Sequence, residues 1–489
     1  MSAYSALMGF VRETTALEQV SERLSWDLET CMPSGAIEQR AEEHAAIEAI
    51  LHARRTNPKV GEWLADAKPS NDTEAANLRL VQRTFDRYNK VPVELAADLA
   101  RITSKAHGIW ATARAAGDFS AFAGVLGDVI ELRRAEANAL SDSGNAYDAL
   151  LNDYEPGTSS AEIAAMFNAL RPSLVELRKA VLECPQPVAL KGTFDEDKQL
   201  FLAQKMAGIF GYDFSRGRID KAVHPFSSGS GNDVRITTRT APEDPFNCIY
   251  STIHEVGHAC YEQNIDQEHL LTPLGNGVSM GVHESQSRIY ENQLGRSRAF
   301  TGWLFAQMRD LFGDFGISHE ETFYAAVNAV RNGYIRTEAD ELQYNLHVML
   351  RFDIERALIS GDLAVGDLES AWNDRFLADF GFEVDQPQNG VLQDVHWSEG
   401  LFGYFPTYTL GNVYAVCLFE ALSAAKPQLN DELAEGDLTG ATAWLRDNLQ
   451  QFGGLRSPNE TIEYATGSSP NEVPFINYLS TKFKGLYNL

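Results

Sequence analysis

Residues 244–263 read DPFNCIYSTIHEVGHACYEQ. The opening Asp-Pro pair is a typical helix start, because Asp caps free N–H groups and Pro is favoured in the first helical turn. We therefore predict a helix from Phe246 to Gln263. His254 and His258 are four residues apart in it, so both imidazoles project from one face, one turn apart. Two histidines at this spacing can chelate a single metal ion.

The residues that follow offer a third ligand. A catalytic zinc takes three protein ligands and keeps one position open. Glu262 is on the same helix and reaches the ion poorly, whereas Glu284 opens a second helical pattern after the Gly-rich loop 275–281, which allows a sharp reversal. Other nearby carboxylates are Glu268 and Glu291. We predict one zinc ion per chain held by His254, His258 and Glu284; cobalt fits the same ligands.

Glu255 directly follows the first histidine and lies beside the metal-facing side of the helix. Two neutral imidazoles and one carboxylate leave a divalent ion positive, so it lowers the pKa of a water and polarises a carbonyl. Glu255 is then placed to accept a proton from that water and pass it to a leaving amine. The pattern indicates hydrolysis of a peptide bond.

The flanking sequence predicts a mainly α fold. Residues 1–150 are rich in Ala and Glu, and a capping box at Ser159 and Glu162 starts a further helix. Pro and Gly interrupt residues 185–241, where the β-branched run 234–238 predicts a strand in a small sheet beside the metal site. The helical pattern returns over 242–489. No linker separates these regions, so we predict one large domain over residues 1–489.

Composition excludes several classes of function. The 489 residues carry 41 basic and 68 acidic side chains, a formal charge of −27, and 44% of them are hydrophobic. That is enough apolar material for a core, so disorder is excluded, and the negative charge argues against nucleic-acid and anionic-membrane partners. The N-terminus lacks a secretion signal, no apolar run reaches membrane-spanning length, and five scattered cysteines form no CxxC pair. We expect a cytoplasmic protein.

Five motifs in order carry a resemblance to a known family. They are DVRIT at 233–237, HEVGH at 254–258, HESQ at 283–286, IRTEAD at 335–340 and GVLQDVHW at 390–397. Trp26-Asp27 and Met32-Pro33 extend the likeness towards the N-terminus. The chain resembles the carboxypeptidase Taq family (thermostable carboxypeptidase 1 type) of zinc metallocarboxypeptidases along nearly its whole length. The resemblance implies an α-helical fold with a deep active-site cleft, a homodimer, and removal of single C-terminal residues from peptides.

The resemblance also implies where the substrate carboxylate binds. In that family, the substrate carboxylate is recognised near the IRxxAD motif, so the resemblance makes Arg336 the first candidate. A guanidinium binds a carboxylate with charge-assisted hydrogen bonds. The alternative is an internal ion pair with Asp340, four residues on. Arg235 is a second candidate for the carboxylate, and its alternative is pairing with Asp233 or with a loop carbonyl.

Other motif residues are candidates by analogy with helical-cleft zinc peptidases, which place a His and, about a dozen residues later, a Tyr over the scissile carbonyl. His396 and Tyr408 fit that spacing, and Tyr404, four residues before Tyr408, is a further candidate. Their alternative role is packing within the loop. Gln393 and Asp394 could orient His396 or a metal ligand, or they could instead be buried residues that hold the loop together. His283 could support a ligand, face the substrate or compete as a ligand itself.

The sequence thus predicts a zinc carboxypeptidase that acts on peptides with a free C-terminus. A dipeptidyl carboxypeptidase or oligopeptidase would share the same metal chemistry. A helical interaction protein with a structural metal or none is the alternative outside enzymes.

Overall fold

The computed structural model describes residues 2–141 and 144–489; Met1, Asp142 and Ser143, which belong to the predicted N-terminal helical region, lie outside it. The predicted mainly α fold is confirmed. Its α-helices are α1 (Ala3–Thr30), α2 (Ile37–Arg55), α3 (Pro58–Asp66), α4 (Asp72–Lys90), α5 (Val93–Ala116), α6 (Phe119–Leu140), α7 (Ala146–Leu151), α8 (Ser160–Leu182), α9 (Glu196–Ile209), α10 (Pro245–Asn264), α11 (Met280–Arg288), α12 (Arg298–Phe312), α13 (Glu320–Val327), α14 (Tyr344–Ser360), α15 (Leu368–Phe380), α16 (Pro406–Ala425), α17 (Leu429–Ala434), α18 (Thr439–Asn448), α19 (Pro458–Thr466) and α20 (Val473–Tyr487).

A small sheet confirms the strand predicted over 234–238. Its strands are β1 (Ile219–Lys221), β2 (Ser227–Ser230) and β3 (Asp233–Thr238), in the order β1-β3-β2. β3 pairs in parallel with β1 and antiparallel with β2. It packs on α10, where the Thr252 hydroxyl donates to the Thr238 hydroxyl at 2.9 Å. The sheet therefore supports the first half of the helix that carries the two histidines.

The chain divides into two compact units, each built from three segments. The first comprises Met1–Asn89, Pro187–Val327 and Tyr414–Pro470, and the second comprises Lys90–Gln186, Asn328–Val413 and Asn471–Leu489. The single domain predicted over 1–489 stays a prediction, as do its subdivisions, residues 1–150, 185–241 and 242–489.

In the first unit, α10 forms as its sequence predicts. The Asp244 carboxylate accepts the N–H of Phe246 at 3.0 Å, and Pro245 opens the helix. The middle of the helix is buried on nearly all sides. Gly257 lies against the backbone of α11, because a Cβ added there would be 2.5 Å from the carbonyl oxygen of Gln286. The two helices can approach closely only because this position has no side chain.

In the second unit, α14 is buried along most of its length and carries charged groups inward. Arg351 and Glu355 are fully buried. The Glu355 carboxyl accepts hydrogen bonds from Tyr147 of α7 and from Trp397 and the N–H of Gly403. α8 begins at the predicted capping box, with Ser159 and Glu162 bonding reciprocally.

Within residues 2–141 and 144–489, no helix has both the length and the apolar character that crossing a bilayer requires.

Candidate active site

The predicted metal ligands lie together in the first unit. The Nε2 atoms of His254 and His258 are 3.9 and 3.5 Å from the Oε2 atom of Glu284. In the described part of the chain, one ligand atom from each of these three residues falls within 4.8 Å of the other two. α10 supplies both histidines and α11 supplies the glutamate, as the Gly-rich reversal before α11 predicts.

α11 is held in register at its start. The Ser279 hydroxyl caps it by accepting the N–H of Val282 at 3.1 Å. One turn later, Glu284 is buried, and its Oε1 accepts a hydrogen bond from Arg288 Nε at 2.6 Å. One carboxylate oxygen is thus fixed by Arg288, and the other faces the histidines.

His254 is oriented by a carboxylate. Its Nδ1 lies 2.9 Å from Oε2 of Glu291, and Arg288 and Arg296 donate to that same carboxylate. An ionised carboxylate only accepts, so His254 Nδ1 carries a proton, and in the neutral ring Nε2 keeps its lone pair. Such support is typical of histidines that bind metals.

His258 is supported by a second histidine. Its Nδ1 lies 2.6 Å from Nδ1 of His283, and His283 Nε2 lies 2.9 Å from Oε1 of Glu262. The N–H of Gly277 also donates to Glu262 Oε1, at 2.9 Å. His283 therefore lies behind His258, on the side away from Glu284.

Charge and burial set the protonation of the three residues. Burial alone would raise the pKa of Glu284, but Arg288 and the two histidines hold it well below its usual range. Burial lowers the pKa of His258 to about 3. Burial also acts to lower the pKa of His254, but the hydrogen bond to Glu291 raises it above its ordinary value.

Glu255 is the remaining acidic group beside the histidines. It is buried, and burial raises the pKa of its carboxyl to about 7, while the nearby His254 opposes the shift and Glu284 adds to it. A general base works best when its pKa lies near the operating pH. Without a cation in the site, burial keeps the pKa of the Glu255 carboxyl near that range.

This donor set fits a divalent metal. Tetrahedral ligands at about 2.0–2.1 Å from zinc are roughly 3.3 Å apart, near the 3.5 and 3.9 Å measured from Glu284 Oε2 to the two imidazoles. The Nδ1 atom of each histidine takes part in a hydrogen bond, and the Nε2 atom of each faces the Glu284 carboxylate. Two imidazoles and one carboxylate are ligands that zinc and cobalt accept.

In the second unit, Arg336 is buried and paired. Its Nε and one Nη donate to Oδ1 of Asp394 at 3.1 and 2.8 Å, and the other Nη donates to the Tyr344 hydroxyl at 2.9 Å. The alternative pairing with Asp340 is wrong. Residues 336–338 form a 3₁₀ turn that ends at an extended Ala339, so the four-residue helical spacing does not apply.

Asp340, Gln393 and Asp394 have separate partners. Asp340 accepts the N–H groups of Leu342 and Gln343, both at 3.0 Å. The Gln393 side chain accepts the N–H of Arg336 at 2.9 Å. Asp394 also accepts from Arg351 Nε at 2.6 Å. Burial would raise the pKa of Asp394, but Arg336 and Arg351 hold it well below its usual range.

His396, Tyr404 and Tyr408 form one aromatic group in the second unit. His396 Nε2 lies 3.2 Å from the Tyr408 hydroxyl, and the Tyr404 ring packs against both rings. Burial lowers the pKa of His396 to about 3, and Asp394 opposes this shift, so the imidazole is neutral. Among the described residues, His396 Nδ1 has no hydrogen-bond partner.

Arg235 forms the ion pair predicted as its alternative. Its Nε and Nη donate to the two oxygens of Asp233 at 2.7 and 3.0 Å, and Arg23 donates to the same carboxylate. The DVRIT motif therefore contains a bidentate pair within β3 itself.

Comparison with known proteins agrees with these motifs. The model of the carboxypeptidase Taq (M32) metallopeptidases matches residues 6–483. The chain belongs to this family. It is 38% identical to thermostable carboxypeptidase 1 of Thermus thermophilus, over 99% of both chains, and 32% identical to thermostable carboxypeptidase 1 of Pyrococcus furiosus, over 96% of both. The M32 carboxypeptidase of Deinococcus radiodurans superimposes with a TM-score of 0.97 at 37% identity, covering 100% of both chains.

As an M32 metallopeptidase, the protein is a metallocarboxypeptidase, a peptide hydrolase. The resemblance predicted from the five motifs is confirmed, and so is the enzyme class. The family implies a divalent metal, for which His254, His258 and Glu284 are the candidate ligands.

Several contacts of the motif residues, within each unit, do not follow from the motifs alone. Glu291 stands in the sequence only as a nearby carboxylate, although it lies seven residues, or two helical turns, after Glu284, with Arg288 between them. That spacing is a signal that could have identified both. Arg351 lies 43 residues from Asp394, and no local pattern connects the two.

Proposed function

We propose that this protein is a zinc-dependent carboxypeptidase that releases single amino acids from the C-terminus of peptides. The observation that carries the proposal is the convergence of His254, His258 and Glu284 within 4.8 Å, with the buried Glu255 beside them. The identity of the metal, the role of Glu255 and the release of single residues are each included in the proposal.

A divalent cation held by the three ligands would polarise the scissile carbonyl and lower the pKa of a water. Glu255 accepts the proton of that water and delivers it to the leaving amine. Glu291 and His283 hold the two imidazoles so that Nε2 remains the free nitrogen of each ring.

The charge around Arg336 supports recognition of a substrate carboxylate. Two buried guanidinium groups, those of Arg336 and Arg351, share the single carboxylate of Asp394. This group of three carries one excess positive charge, which an added carboxylate would neutralise. We assign the substrate C-terminus to Arg336 and keep Arg235 as the second candidate, since its guanidinium is already matched by Asp233.

His396 and Tyr408 are assigned to the oxyanion. The neutral imidazole and the phenol each carry a proton to donate, and the two are 3.2 Å apart. Donors aimed at developing negative charge contribute much of the catalysis in acyl transfer. Tyr404 packs on both rings and is proposed as a substrate contact.

Further elements of the proposal rest on the resemblance and the composition. They are zinc as the native metal, with cobalt compatible, a homodimeric assembly and a cytoplasmic location. The partners are peptides with a free C-terminus, and neither nucleic acid nor membrane.

Glu255→Gln tests the chemical role. The variant is expected to keep its metal, because its ligands are untouched, and to lose about two to four orders of magnitude in kcat, because the base is gone. Metal content and kcat measured on the same preparation check both. A variant within tenfold of wild type would show that Glu255 is not the base.

Mass spectrometry of digested peptides tests the specificity. One-residue ladders from the C-terminus are expected. Two-residue steps or internal cuts would instead identify a dipeptidyl carboxypeptidase or an oligopeptidase with the same metal chemistry. Chelation is expected to abolish either activity, and a chelator-insensitive protein would contradict the proposal.

A further inference from the structure

The two histidines of the HEVGH motif are supported in different ways. His254 contacts the Glu291 carboxylate directly, at 2.9 Å. His258 reaches a carboxylate only through an intervening imidazole, that of His283, which contacts Glu262. The second arrangement is a hydrogen-bonded series of three side chains, His258, His283 and Glu262. In this series His283 must accept a hydrogen bond on one nitrogen and donate one from the other.

The direction of the hydrogen bonds along this series follows from its last member, Glu262. Glu262 Oε1 already accepts the N–H of Gly277, so it faces His283 as an acceptor, and His283 Nε2 is the donor. A neutral His283 then has its lone pair on Nδ1 and accepts the proton of His258 Nδ1. His258 is left with its lone pair on Nε2, which faces Glu284.

We propose that His283 and Glu262 are positioning residues for His258: they fix its tautomer and ring orientation and so set the affinity of the site for its metal. This inference rests on the proposed function, because it takes His258 as a ligand. In this role neither His283 nor Glu262 binds the metal itself; both act through His258.

The surroundings of Glu262 and His283 favour a positioning role over simple packing. Glu262 is buried, and its Oε2 has no hydrogen-bond partner among the described residues, so the desolvation of that oxygen is not compensated by a protein contact. Gly277 leaves space for this series: a Cβ there would be 2.7 Å from His283 Cδ2 and 2.9 Å from Tyr261 Cε1. The loop before α11 thus holds the His283 ring closely from one side.

Substitutions of His283 separate its two hydrogen bonds. In His283→Asn the side-chain oxygen can take the place of Nδ1 and accept from His258. In His283→Gln the amide reaches further and can donate to Glu262, but it offers no acceptor at the Nδ1 position. His283→Ala removes both. Glu268→Gln is the matched control, because this exposed carboxylate lies 3.7 Å from a histidine, His269, that is not a predicted ligand.

The measurement is the Kd for Zn²⁺, by competition with a chromogenic chelator, together with the melting temperature of the metal-free protein. Loss of a residue that orients a metal ligand weakens binding by about 10- to 100-fold. We expect that loss in His283→Ala and His283→Gln, substantial recovery in His283→Asn, and wild-type affinity in Glu268→Gln. The metal-free melting temperatures of His283→Asn and His283→Gln are expected to be similar while their Zn²⁺ affinities differ, a result that a packing role alone would not produce.

Glu262→Gln is expected to weaken Zn²⁺ binding less than His283→Ala, and the double variant is expected to match His283→Ala, because both residues act through one series. The visible absorption of the Co²⁺-loaded protein should change in His283→Ala and return in His283→Asn, as the ligand orientation does.

Two outcomes would overturn the inference: Zn²⁺ affinity within twofold of wild type in all three His283 variants, or an equal loss in all three. The proposed function fails separately. If His258→Ala binds Zn²⁺ as tightly as wild type, the metal is not bound at this site at all.

Discussion

At the scale of single residues, the buried Arg336 and Arg351 share one carboxylate, that of Asp394, so this cluster has more positive than negative charge. Burial lowers the pKa of Arg351 to about 10, against the opposing effect of Asp394, so its guanidinium still stays charged near neutral pH. An uncompensated buried charge is costly. A site that binds carboxylates gains from keeping such a charge, since the ligand then supplies the missing partner.

Arg336→Gln is predicted to abolish the preference for a free C-terminus. Wild-type enzyme should have a much higher kcat/KM for a peptide acid than for the same peptide as its C-terminal amide. A charged hydrogen bond is worth about 1.5–3 kcal/mol, so the acid should lose about 10- to 150-fold in the variant while the amide changes little. The ratio of the two kcat/KM values is the measurement.

Arg235→Gln is the matched control for that experiment, because it removes a guanidinium that is paired with its own strand neighbour, Asp233. Its acid-to-amide ratio should equal that of wild type. If Arg235→Gln lowers the ratio and Arg336→Gln does not, Arg235 is the residue that recognises the carboxylate.

How far the site can be predicted from sequence depends on how local its contacts are. The two histidines follow from a four-residue spacing, and Glu284 was the best choice of third ligand because the Gly-rich loop before it allows a sharp reversal. The partner of Arg336 could not be predicted in this way. Local spacing favours Asp340, whereas the structure pairs Arg336 with Asp394, 58 residues away, because a 3₁₀ turn replaces the helix.

At the scale of elements, the geometry of the predicted metal ligands depends on how α10 crosses α11. Gly257 lies inside the HEVGH motif, and a Cβ there would also be 2.6 Å from Cα of Ser287. Real Cβ atoms do not approach backbone so closely, so any side chain would push the helices apart. Since α11 carries Glu284, the crossing sets the distance from the carboxylate to the imidazoles.

Gly257→Ala is therefore predicted to destabilise the fold by about 1–3 kcal/mol, the usual effect of overpacking, and to weaken Zn²⁺ binding at least tenfold. Denaturant unfolding and chelator competition measure the two effects. Gly108→Ala is the control: Gly108 is an exposed glycine in the middle of α5, where a Cβ has no neighbour within 4 Å. It should stabilise the protein by about 0.5–1 kcal/mol and leave Zn²⁺ binding unchanged.

Element types and starts were predictable where the signal is local. The helix from 246 to 263, the strand 234–238 and the capping box of α8 all form as predicted. The π-helical segment Ile289–Gly295 after α11 was not predicted. Its hydrogen bonds span one residue more than those of an α-helix, and they depend on packing that side-chain periodicity does not reveal.

At the scale of the whole molecule, acidic groups contribute a loss of stability as the pH rises from 5 to 8. A formal charge of −27 makes the compact state repel itself, and lowering the pH towards the pI near 4.8 relieves that repulsion. Glu355 acts in the same direction from inside the second unit. Burial raises the pKa of its carboxyl to about 7, although Gly403, Trp397 and Tyr147 donate to it and Arg351 lies near.

Between pH 4.5 and about 7, folded Glu355 holds a proton that the unfolded chain releases, so raising the pH favours unfolding. The stabilisation from protonated Glu355 is complete below pH 4.5 and is lost as the pH rises through about 7. The shift of its pKa between the unfolded and folded states corresponds to roughly 3 kcal/mol of stability.

Glu355→Gln removes this proton exchange. We therefore predict that the variant, measured by urea unfolding at matched metal content, gains stability relative to wild type as the pH rises from 5 to 8. The exposed Glu268→Gln serves as control and should show no such trend. A constant difference between Glu355→Gln and wild type across this range would mean that Glu355 is ionised throughout, with its three hydrogen-bond donors outweighing the cost of burial.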